Sequence, residues 1–131
     1  MRAIILLSHG SQSLSSQAEV AELGRRIARE GECAYVQHAY LDIAEPLFAH
    51  AVKQLVSRGA KEIVVVLHFL NSGNHVSRDI PSLLAEARKN FPDVVFYVTR
   101  PVGLHPVIPA LCSDLIREVL TNAASSGENH G

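Results

Sequence analysis

Ile63-Val64-Val65-Val66-Leu67 is the stretch that decides the fold. It is continuously apolar and nearly all β-branched, the pattern of a strand covered on both faces in a parallel sheet. Parallel strands are joined by crossovers of a dozen or more residues, usually helical, so helices should flank this run. Upstream, Leu47, Ala51 and Leu55 share one helical face, Pro46 suits the first turn, and Arg58-Gly59 supplies a cation and a C-cap. Downstream lies a loop from Phe69 to Val76 containing Asn71-Ser72-Gly73-Asn74. A helix follows with Pro81 near its start and Ile80, Leu84, Ala87 and Phe91 inward, and Pro92-Asp93 breaks it.

The same alternation continues to both ends. Ala3 to Leu7 reads as a first strand. Ser16 and Glu19 have capping-box spacing ahead of a stripe of Val20, Leu23 and Ile27, and Gly31 reads as a C-cap. Cys33 to Leu41 is expected to be a second strand and Val94 to Val98 a fourth, while Pro106 opens a last helix with Ile108, Leu111, Leu115 and Val119 on one side. Four strand–helix units in series predict an α/β fold: a four-stranded parallel sheet with helices on both faces, in the flavodoxin-like strand order 2-1-3-4. One domain is expected over residues 1–122, with 123–131 a flexible polar tail.

Twelve Lys+Arg against thirteen Asp+Glu leave a net charge of -1, which argues against a protein that grips nucleic acid or an anionic membrane through bulk charge. No apolar run approaches the roughly 20 residues of a transmembrane helix. The apolar stretch near the start is too short for a signal segment and is interrupted by Ser8-His9-Gly10, so a cytoplasmic location is expected. Cys33 and Cys112 stand apart with no CxxC, against a disulfide framework or zinc knuckle. Seven histidines are the unusual entry in the composition.

Open α/β sheets bind ligands beyond the carboxyl ends of their strands. There the first strand delivers Ser8-His9-Gly10-Ser11-Gln12 and the second Asp42-Ile43-Ala44-Glu45. The third delivers His68 through His75, and the fourth Arg100 through His105. Histidine with carboxylate suits a borderline divalent metal, and imidazole suits proton transfer near neutral pH. His9, Glu45 and His75 are the first choice for a metal site with open positions. Simpler readings stand beside this one. His68 suits a satisfied residue at the end of a buried strand, and His38 and His50 suit structural or exposed positions. Glu45 suits a helix-start carboxylate and His105 a helix-entry residue.

Four segments occur in order: Ser8-His9-Gly10-Ser11, Ile43-Ala44-Glu45-Pro46, Phe69 through Pro81, and Gly103-Leu104-His105-Pro106. Together they resemble the sirohydrochlorin chelatases, a class II tetrapyrrole chelatase family, and within it the short single-domain cobaltochelatases. The resemblance runs from Ile4 to about Leu120, and the segment from Phe69 to Pro81 is its most specific part. It implies a lyase that inserts Co²⁺, or alternatively Fe²⁺ or Ni²⁺, into sirohydrochlorin or a related tetrapyrrole without ATP. The metal is a substrate, and no tightly bound cofactor is required. By motif, His9 and His75 would be the catalytic histidines, with Glu45 helping to hold the metal. For a ring bearing eight carboxylates, Ser11, Gln12, Ser72, Gly73, Asn74, Arg78 and Arg100 are the available partners. Short members of the family pair as homodimers, and a second copy would supply walls that one small domain lacks. Ser8 and Gln12 depart from the common Gly-His-Gly-Ser-Arg, and Asn71-Ser72 makes the third loop more polar than usual. These departures keep open a non-catalytic metal- or tetrapyrrole-binding paralogue. A histidine phosphatase is the weakest reading, because Ser8 stands where that chemistry wants an arginine.

Overall fold

In a computed structural model, residues 1–31, 35–73 and 78–126 are described. The order is β1 (Arg2–Ser8), α1 (Leu14–Glu30), β2 (Tyr35–Tyr40), α2 (Phe48–Ser57), β3 (Glu62–Leu67), α3 (Ile80–Asn90), β4 (Val95–Pro101) and α4 (Ile108–Ser126), with a 3₁₀ turn at Val102–Leu104 before α4. All pairings are parallel and the sheet order is β2-β1-β3-β4, the arrangement expected from the sequence.

The register explains the two faces, since neighbouring residues of a strand point to opposite sides. Ala3, Ile5 and Leu7 lie beside Ile63, Val65 and Leu67, and Ile63 beside Phe96. With Phe48, Ala51, Val52 and Leu55 of α2 and Ile80, Leu84 and Ala87 of α3, these form the buried core. The other face is covered by α1 over its β1/β2 half, where a Cβ at Gly24 would lie 3.6 Å from the Val36 side chain. On the β3/β4 half of that face Val64 and Val66 are only half-buried, and Val95 and Tyr97 are exposed.

Several local expectations shift. The first helix begins at Leu14, capped by Ser13, whose hydroxyl accepts from the Ser16 amide. Ser16 is therefore inside the helix rather than its cap. Gly31 does end α1, in extended rather than left-handed backbone. The described part of β2 starts at Tyr35; Cys33 lies outside the described residues. Pro46 precedes α2 instead of opening it, with Leu47 as the N-cap. β4 runs on from Val95 to Pro101, because Arg100 and Pro101 stay in the sheet where a loop was expected. The apolar side of α4 is not buried on the sheet: Leu111, Leu115, Ile116, Val119 and Leu120 are all exposed.

Candidate functional site

The carboxyl ends of the strands are tied to one another through their backbones. Leu41 N–H donates to Ser8 C=O at 2.9 Å and Asp42 N–H to His9 C=O at 3.1 Å, fixing the loop after β2 against the loop after β1. His68 N–H donates to Leu7 C=O at 2.9 Å, and Gly103 N–H to Phe69 C=O at 2.9 Å. Two close approaches depend on glycine. Gly10 has φ of 120°, and a Cβ there would overlap the Asp42 carbonyl; a Cβ at Gly103 would overlap the backbone of Leu70. The rim is thus a backbone-welded platform, and its side chains stand on it.

His9 is exposed on this platform, its ring edge-to-face with Phe69 at 4.5 Å between centroids. Phe69 is only 4% exposed and belongs to the core, so it anchors the imidazole to the body of the fold. Directly below, the buried Ser8 hydroxyl and His68 Nδ1 are 2.8 Å apart. His68 therefore behaves as the satisfied strand-end histidine that its sequence position suggested. Ser8 is its partner.

Burial pushes the His68 pKa below its ordinary value of 6.5, and burial followed by the Arg25 charge does the same to His38. Both rings therefore take up fewer protons folded than unfolded once the pH falls below about 6.5. Their contribution to stability is complete above that pH and is lost as pH drops through it toward the lower folded values. Thermal unfolding followed from about pH 7.5 down to about pH 5.5 should show a falling midpoint, and a shallower fall in His68→Gln. Ser8→Ala, which strands the His68 ring nitrogen, should cost about 1 kcal/mol at pH 7.

Glu45 is exposed beside α2, where its carboxylate accepts from the Leu47 amide at 3.1 Å and lies 3.5 Å from His50 Nδ1. In this conformation it serves the helix start, the simpler of its two sequence readings. Ser11 accepts from the Ser13 amide through its hydroxyl and from the Gln17 side chain through its carbonyl. Gln12, Ser72, Gly73 and Arg78 are exposed. Arg100 lines a groove of about 730 Å³ between α1 and α4, together with Ile27, Val66, Val102, Ile108 and Leu111. His75 and Asn74 lie outside the described residues. Among the described residues no three His, Cys, Asp or Glu side chains gather around a point where one ion would fit.

Two acids that the sequence reading left out of its candidate site residues also belong to this region. Asp42 and Asp79, with Leu41, Ser82 and Leu83, line a groove of about 360 Å³ where the loop after β2 meets the start of α3. Asp42 is the residue whose amide is bonded to His9, so the groove abuts the histidine's own backbone. The signal was available: Asp42 is the first acid past the end of β2, and Asp79 directly precedes α3. A rim with an exposed imidazole and two nearby carboxylates is suited to attract a divalent cation and to accept protons.

The family model described as CbiX matches residues 3–119. A chloroplastic sirohydrochlorin ferrochelatase of Arabidopsis thaliana is 31% identical over 95% of this chain and 56% of its own length. A sirohydrochlorin cobaltochelatase of Methanocaldococcus jannaschii is 34% identical over 69% of this chain and 63% of its own. The chain thus spans less than two thirds of the length of these curated relatives. A crystal structure of a protein described as a cobalamin biosynthesis CbiX protein from Marinobacter aquaeolei VT8 superimposes with a TM-score of 0.83. It is 24% identical and covers 95% of this chain and 98% of that one. This last likeness concerns the fold.

Proposed function

The chain belongs to the CbiX family, and from that premise we propose that it inserts a divalent metal, Co²⁺ first and Fe²⁺ or Ni²⁺ as alternatives, into sirohydrochlorin or a closely related tetrapyrrole. The observation that carries this reading is His9, an exposed imidazole anchored on Phe69 at the carboxyl rim of the sheet beside an acid-lined groove. Relatives named as cobaltochelatases and as a ferrochelatase support the substrate class.

Insertion releases two pyrrole N–H protons as the metal's bonds to the ring nitrogens form. Those bonds replace metal–water bonds, so no nucleotide is needed to drive the step. Neutral imidazole can ligate the incoming ion or accept a leaving proton, and a fixed rim holds ion and ring face to face. In this reading His9 and His75 are the catalytic pair, with Glu45 completing the metal set when its side chain turns away from the start of α2. Ser11, Gln12, Ser72, Gly73, Asn74, Arg78 and Arg100 meet the ring carboxylates. The working form is two copies facing across the rim.

The test is purified protein with sirohydrochlorin and each of Co²⁺, Fe²⁺ and Ni²⁺, followed by absorbance without ATP. Insertion no faster than the spontaneous reaction for all three metals would refute catalysis. Tight stoichiometric binding without turnover would instead identify a carrier. Glu45→Gln should lower the insertion rate about 10-fold at limiting metal and much less at saturating metal, the difference expected of a metal-holding group.

A further inference from the structure

β1 and β3 lie side by side at the centre of the sheet, and their ladder ends with Leu7 beside Leu67. The next two residues of each strand pair through their side chains. Ser8 and His68 meet first, hydroxyl oxygen to Nδ1 at 2.8 Å. His9 and Phe69 meet next, ring against ring at 80° with centroids 4.5 Å apart. Alternation along a strand puts the two pairs on opposite faces. Leu7, Leu67 and Phe69 belong to the core shared with α2 and α3, so Ser8 and His68 turn to the α1 side.

The end of β1 is held differently on its two sides. Toward β2 the holds are main-chain bonds, from Leu41 N–H to Ser8 C=O and from Asp42 N–H to His9 C=O. Toward β3 there is the His68 N–H bond to Leu7 C=O, and beyond it the hold passes to the two side-chain pairs. These pairs resist sliding unequally. An aromatic edge contact tolerates displacement, whereas a hydrogen bond weakens steeply with distance and angle. Ser8 is only 7% exposed, so water competes little for its hydroxyl. The bond therefore sets how far β1 can slip along β3. That slip matters because His9 and Phe69 are the next residues in each strand, and a misplacement of about 1 Å at a reacting group can cost about 100-fold in rate.

We propose that Ser8 and His68 are positioning residues for metal insertion, their bond across β1 and β3 fixing the direction in which His9 presents its imidazole at the rim. The proposal rests on the reading of His9 as a catalytic histidine and deepens it. Ser8 is buried on the α1 side of the sheet, so it acts through His9 rather than on the substrate. His68 serves the site in the same indirect way, from the residue before the ring on which His9 rests.

The test uses the full chain well below its unfolding temperature and takes two readouts. Histidine-selective NMR follows the carbon-bound ring protons of His9, which the Phe69 ring current displaces and which His9→Ala identifies. Steady-state insertion of Co²⁺ into sirohydrochlorin supplies kcat and KM. Ser8→Ala and His68→Phe remove the bond while keeping most of the volume. Ser8→Thr keeps a hydroxyl, and His68→Asn keeps a polar group near the place of Nδ1. The first two should move the His9 resonances toward those of an unstacked histidine and lower kcat about 10-fold, with both KM values within about twofold of the parent. The conservative two should stay near the parent, and Ser8→Ala combined with His68→Phe should be no worse than either alone. Unmoved resonances, or an unmoved kcat in an active parent, overturn the proposal. A change confined to KM, or equal losses in the conservative variants, also overturns it. A parent that inserts no metal refutes the chelatase reading, and the resonances then still decide whether the pair orients His9.

Discussion

His9→Ala should lower the rate of metal insertion by about 100-fold or more, the low end of what a positioned acid–base group supplies, with little change in stability. The ring is exposed, and its aromatic contact, the edge against Phe69, is with a residue that the surrounding core would keep in place. Removing an exposed imidazole leaves no cavity, so the unfolding midpoint should move by only a degree or two. The rate should fall because neither a ligand nor a proton acceptor remains at the end of β1. The measurement is initial insertion rate against pH for parent and variant at saturating metal. The variant should be slower than the parent across the range. A variant with the parent's rate and pH profile would move the chemistry to other residues of the rim.

Gly10→Ala should have the largest effect on the fold, about 3 kcal/mol or more lost, because two penalties act on the same atom. The backbone there has φ of 120°, a region that only glycine visits without strain, and the added Cβ would overlap the Asp42 carbonyl. Relief would require moving the loop after β2 away from His9, breaking the Asp42 N–H bond to the His9 carbonyl. Denaturant unfolding should show a lower midpoint with an unchanged slope. Insertion should fall even at temperatures where the variant remains folded. A variant as stable as the parent would mean that the loop can yield, contrary to the bonding seen.

The fold was readable because its evidence is periodic. Ile63 to Leu67 and Ala3 to Leu7 are apolar without interruption, and both proved to be central strands with their neighbours in parallel register. Helix starts were less readable, because several residue types compete for them. Ser13 and Ser16 are both plausible caps, and only the bond from the Ser16 amide decides between them. Pro46 fits the first turn of a helix as well as the position before it. The stripe on α4 marks a Pro106-led helix with a face to bury, but periodicity cannot say which surface buries it.

At the rim, His9 was legible from its place at the end of a buried strand. The pairing of Ser8 with His68 was not, because it depends on the register that sets Leu7 beside Leu67 and so brings the next residues of each strand together. Phe69 was in view as part of a loop segment, yet nothing in the sequence shows that its ring turns inward to the core and meets the imidazole. Glu45 carried two readings from the start, and the conformation seen is the structural one.

The backbone bonds that tie the four loops together separate shape from chemistry at the rim. Leu41, Asp42, His68 and Gly103 hold its outline through their amides, which every residue except proline possesses. Gln12 and Ser72 project from that outline as exposed side chains. Such a surface is evolvable in a particular way: its exposed side chains can be rewritten one at a time while the geometry that presents them is inherited intact. Descendants of one scaffold can therefore drift in what they bind without first having to solve the folding problem again.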